Sequence, residues 1–127
     1  MTRPVLDASA ILADLHREPG GEIARAARLD GLVSAVNYSE VVAKLVEQGV
    51  RGADAVYLLD RIGYEVVPVD RSRAALAGEL HAETFRSGVS LGDRFCLALA
   101  RELGAPLLTT DRRLGTVDLD IEVVLIR

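Results

Sequence analysis

The chain has no tryptophan, three tyrosines, two phenylalanines and one cysteine, and Lys44 is its single lysine. Each scarcity excludes something. With so few rings, the core has to be aliphatic, built from Val, Leu, Ile and Ala. The lone Cys96 has no partner for an internal disulfide. In "RFCLALA" it reads as a small buried thiol. No apolar run reaches the about 18 residues of a membrane span. No charged segment followed by a long apolar stretch marks a secretory signal. These absences predict a soluble, cytoplasmic protein with no membrane partner. A surplus of positive charge is missing too. The net charge of −4 argues against a general polyanion binder. It leaves room for an enzyme that meets nucleic acid through a metal. The basic side chains are almost all Arg, whose forks match phosphate oxygens.

What is present suits one domain over residues 1–127, since half of the chain is hydrophobic. Strand and helix patterns alternate. Segments 3–7, 31–36, 64–69, 105–111 and 121–127 read as strands. Segments 9–18, 22–29, 38–49, 52–62, 72–88 and 91–104 read as helices, with Gly49 and Gly104 as C-terminal caps. The helix at 91–104 is apolar nearly all round in its middle, so it should be deeply packed. Alternation of this kind predicts an α/β fold with a central parallel sheet covered by helices on both faces. In such sheets the working site lies beyond the carboxyl ends of the strands.

Four carboxylates fall where that edge should be: Asp7, Glu40, Asp93 and Asp111. Each also has a structural reading. Asp7 suits a helix N-cap. Asn37 with Glu40 resembles a capping box, and Glu40 with Lys44 is an i,i+4 ion pair in the favourable order. Ser90 with Asp93 is a second capping pattern, and a first-turn acid suits the helix dipole. Asp111 in "TTDRR" suits a turn. Their convergence is what points to chemistry. Asp7 and Asp111 leave strands, whereas Glu40 and Asp93 open helices on the same side of the sheet. Four carboxylates there would repel one another, Lys is nearly absent, and no His lies near any of the four in sequence. With Lys44 beside Glu40 the one lysine available, a divalent cation is the natural counter-charge, and all-oxygen ligation suits Mg2+ or Mn2+. Such a site hydrolyses phosphodiesters, with one or two ions activating water and stabilising the leaving oxygen.

The segments "VLDASAIL" (5–12), "SAVNYSEVVAKL" (34–45), "GVSLGDRFCLALARELGAPLLTTD" (88–111) and "DLDIEVVLIR" (118–127), in this order and spacing, resemble the PIN-domain family and, within it, the VapC toxins of bacterial toxin–antitoxin pairs. The resemblance spans nearly the whole chain. It implies a single PIN-like domain and a metal-dependent endoribonuclease, the toxin half of such a pair. Asp7, Glu40, Asp93 and Asp111 fall on the family's acidic positions as catalytic and metal-holding residues. Ser9 and Thr109 fall on its hydroxyl positions, where they would orient carboxylates or water. Asn37 stands where relatives often carry Ser or Thr. The resemblance also implies an RNA substrate, a homodimer and a cognate antitoxin that lays a segment near the acids. Arg94, Arg112 and Arg113 lie beside the acids and could meet RNA phosphates, but a solvated surface or local charge balance is the plainer account of them.

Two other classes compete. A haloacid-dehalogenase-like phosphatase wants a second Asp two residues after the first, where this chain has Ser9. A non-catalytic partner-binding α/β domain would need none of the four acids. The helices 9–18, 38–49 and 52–62 carry more apolar surface than one sheet face of a small domain readily covers, which predicts an interaction face among them.

Overall fold

A computed structural model describes residues 2–127. Five short strands form one parallel sheet in the order β3-β2-β1-β4-β5. They are β1 (Val5–Leu6), β2 (Leu32–Ser34), β3 (Glu65–Val67), β4 (Leu107–Thr109) and β5 (Val123–Leu125). Helices α1 (Ala8–Leu15), α2 (Gly21–Ala26), α3 (Ala35–Glu47) and α4 (Gly52–Ile62) precede β3. Helices α5 (Arg71–Glu79), α6 (His81–Thr84) and α7 (Leu91–Leu103) lie between β3 and β4.

Side chains alternate across a strand, so the central strands feed two cores. Val5, Leu32 and Leu107 pack with α5 and α7, whose Cys96, Leu97 and Ala100 are buried. Leu6, Val33 and Leu108 face the other way, onto Ile11, Ala24, Val41, Leu45 and Leu59 of α1 to α4. The expected aliphatic core, the helix-covered parallel sheet and the buried Cys96 are all observed. Gly104 caps α7 at φ 61°, the left-handed region a residue with a Cβ enters only at a cost.

Four expectations need correction. The helix placed over 38–49 begins at Ala35, because Ser34 accepts a hydrogen bond from the Val36 amide and caps it early. Asn37 is therefore inside α3, and the Asn37–Glu40 capping box does not form. Lys44 pairs with Glu47 at 3.8 Å rather than with Glu40. The single helix over 72–88 is broken. α5 ends at Glu79, α6 follows, and Phe85–Ser87 is a 3-10 turn. At the break the buried Thr84 hydroxyl donates to the Leu80 carbonyl (2.7 Å), a local bond that competes with regular helix.

Candidate active site

The carboxyl edge of the sheet gathers the acids from four elements. β1 ends at Leu6, and Asp7 follows as the N-cap of α1, with Oδ1 accepting from the Ala10 amide at 3.0 Å. The cap and the site are the same residue. β4 ends at Thr109, beside β1, and its hydroxyl donates to Asp7 Oδ2 at 2.6 Å. Ser9 Oγ donates to Asp7 Oδ1 at 2.7 Å and lies 3.2 Å from Thr109 Oγ1. The Thr110 amide donates to Ser9 Oγ and the Asp111 amide to Thr109 Oγ1. Two hydroxyls thus fasten the β4 turn to the first acid across about a hundred residues of sequence.

Asp7 is 4% exposed. Burial pushes its carboxyl up to about 6. The hydrogen bonds from Thr109, Ser9 and Ala10 oppose that rise, and the charge of Asp93 adds to it. Asp93 stands in the first turn of α7, in a complete capping box. The Ser90 amide donates to Asp93 Oδ2 at 2.8 Å, and the Asp93 amide donates to Ser90 Oγ at 3.1 Å. Glu40 comes from α3, which packs on α7. A Cβ on Gly92 would overlap the Glu40 carboxylate, so that carboxylate rests against the backbone of α7. Cys96, one turn into α7, feels all three acids. Burial raises its thiol pKa well above the ordinary value, and the charges of Asp7, Asp93 and Glu40 raise it further.

Asp111 is placed differently. Its backbone is tied to Thr109, but its carboxylate pairs with Arg113, at 2.9 Å from Nη2 and 3.2 Å from Nε. Hydrogen bonds from Arg113 hold the Asp111 carboxyl below the usual range. Arg113 also donates to the Gly88 carbonyl. Arg113 is thus the local counter-charge of Asp111. Arg94 reaches toward the Ala77 carbonyl on α5 at 3.5 Å, and Arg112 is exposed. Among the described residues, no three His, Cys, Asp or Glu side chains close into a ready chelate. Asp7, Glu40 and Asp93 share one charged edge without yet converging on a point.

Two features stand apart from the expectations: Asn37, expected as a cap, and Asp14, which no motif marked. Asn37 is buried and donates to Glu40. Asp14 is 1% exposed and accepts from Arg25, Arg28 and Tyr64. Burial alone would raise the Asp14 carboxyl. The three donors and the Arg28 charge instead carry it below the ordinary value. An acid in the apolar register of α1 was the available signal for the second feature.

A parallel five-stranded sheet covered by helices on both faces, with Asp7, Glu40 and Asp93 at its carboxyl edge, defines an α/β fold. The PIN domain model matches residues 5–119, and the chain belongs to that family. Among solved structures it is similar to a toxin–antitoxin complex from Klebsiella pneumoniae (14% identity, 98% of each chain, TM-score 0.76). It is also similar to FitAcB from Neisseria gonorrhoeae (20%, 97% of each chain, 0.69). A third is VapC20 from Mycobacterium tuberculosis, described as a sarcin-ricin loop cleaving toxin (15%, 94% of this chain and 98% of that one, 0.73). No curated protein matches the sequence significantly.

Proposed function

We propose that this PIN domain is a divalent-metal-dependent endoribonuclease acting in the cytoplasm, the toxin half of a toxin–antitoxin pair. One observation carries the reading. Asp7 is kept in a buried cage of Ser9, Thr109 and the Ala10 amide, where its charged form is costly, at the edge it shares with Glu40 and Asp93. A buried carboxylate facing further acids, with no Lys or Arg among its hydrogen-bond partners, is a poor stabilising device and a good cation ligand. The donors are hard oxygens, which fit Mg2+ or Mn2+. Asp7, Glu40 and Asp93 would hold the ion, with Asp111 joining from the β4 turn. When bound, such an ion supplies Lewis acidity toward a phosphodiester and water of lowered pKa.

This chain's own residues do the rest. Ser9 and Thr109 fix both oxygens of Asp7, so its orientation does not depend on the substrate. The amide end of α7 offsets charge beside Asp93. Arg112, exposed beside Asp111, is placed to meet an RNA phosphate, and Arg94 could do so only by leaving Ala77.

The partner reading rests on surface chemistry and on the likeness to toxin–antitoxin complexes. Val46 of α3 and Val56, Tyr57 and Leu58 of α4 are exposed. Of these, Leu58 lines a groove of about 550 Å³ with Leu15, Arg17, Leu45 and Ile62. We assign part of this apolar surface to the antitoxin and part to self-pairing as a homodimer. No helix among the described residues is long and apolar enough to cross a membrane. The direct test is incubation of purified, partner-free protein with total RNA, with Mn2+ or with EDTA, and mapping of the cut ends. Cuts that need the ion support the assignment; intact RNA in both arms opposes it.

A further inference from the structure

Asn37 is 1% exposed, in the first turn of α3. Its Nδ2 donates to Glu40 Oε1 at 2.7 Å and to the Gly92 carbonyl at 3.1 Å. Both partners only accept, so the amide can face them with its NH2 group alone. Its Oδ1 is then left buried without a protein partner. An apolar side chain of similar volume would avoid that cost, so the amide is not explained by packing. Gly92 completes the arrangement. A Cβ there would stand 2.6 Å from Glu40 Cδ, and Gly92 immediately precedes Asp93. Asn37 therefore ties the Glu40 carboxylate to the backbone of the helix that carries Asp93.

We infer that Asn37 is a positioning residue, which with the bare Cα of Gly92 aims Glu40 across the α3–α7 contact toward the ion shared with Asp7 and Asp93. The inference rests on the proposal that Glu40 helps hold that ion. Freed from Asn37, the Glu40 side chain is exposed enough to sample other rotamers, and the ion loses one aimed charge. Loss of a residue that orients a ligand typically weakens metal binding by about 10–100-fold.

The test is Mn2+ titration followed by thermal unfolding, on the wild type, Asn37→Leu, Asn37→Val, Glu40→Gln and Asn37→Leu/Glu40→Gln. Each protein is also unfolded in EDTA. Asn37→Val removes the donor with less bulk and adds no charge, so it serves if the leucine packs badly. The expected result is a half-saturating Mn2+ concentration raised by about 10-fold or more in both Asn37 variants. Their unfolding in EDTA should stay close to the wild type. In the Glu40→Gln background the Asn37 change should cost nothing further. A merely structural Asn37 would lower the unfolding temperature in EDTA and leave the Mn2+ midpoint in place, and that result overturns the inference. Additive losses in the double variant overturn it too. A wild type that ignores Mn2+ removes the ion site itself, and the inference with it.

Discussion

Replacing Asp7 with Asn should stabilise the metal-free protein, by an amount that grows with pH. Burial raises the Asp7 carboxyl from the ordinary 3.8 to about 6 in the folded chain. Below 3.8 both states bind the proton and the shift costs nothing. Between 3.8 and about 6 the folded state holds more protons, so stability falls as pH rises. Above that window the full penalty of about 3 kcal/mol applies. Asn escapes it. The hydroxyl network can accept the change without a broken bond. Asn Oδ1 keeps Ala10 and Ser9, Nδ2 donates to Thr109 Oγ1, and the Thr109 hydroxyl turns to Ser9 Oγ, now 3.2 Å away. Any misfit shifts the stability difference by a constant and leaves its slope alone. Urea unfolding of both proteins in EDTA should show the variant's advantage growing by about 2 kcal/mol between roughly pH 4.5 and pH 8. A difference that stays flat over that range would refute the buried, costly carboxylate on which the site rests.

Millimolar Mn2+ should raise the unfolding temperature of the wild type and leave Asp7→Asn unmoved, as read by differential scanning fluorimetry. Gly92→Ala should abolish that rise as well, because its methyl group takes the place of the Glu40 carboxylate. Asp14→Ala should cost about 3 kcal/mol at neutral pH, since it strips a buried acid from Arg25, Arg28 and Tyr64. Asp14 is held below its ordinary value, so that deficit should shrink in acid as the wild-type carboxyl is protonated. Arg113→Gln should raise the Asp111 pKa, measured by NMR titration, with little change in unfolding temperature.

The sheet, its two helical covers and the acids' common edge were legible because period-2 and period-3.6 patterns survive in short elements. Val5 and Leu6 face opposite cores, and the Ser90–Asp93 capping box and the Gly104 stop mark where α7 begins and ends. Asp7 and Asp93 could be read twice, as caps and as site residues, and the structure shows the caps. Asn37 was misread because Ala35 and Val36 look like strand. Only the Ser34 cap, a tertiary outcome of where β2 ends, pulls them into α3. The turn of Asp111 toward Arg113 was one of two open readings, since two residues of spacing allow either an ion pair or two independent side chains. Gly92 gave no signal of its own. Its small size has meaning only beside Glu40, which is 52 residues away in sequence and in contact in space.

The most direct measurement is the rate of RNA cleavage by partner-free protein in Mn2+, for the wild type, Asp7→Asn, Asp93→Asn and the double variant, each shown to be folded. Asp7, Glu40 and Asp93 acting as one ion-holding unit predicts that either single change abolishes cleavage and that the second adds almost nothing. EDTA should reproduce the same loss in the wild type. A folded Asp7→Asn protein that cuts RNA at the wild-type rate would contradict the assignment.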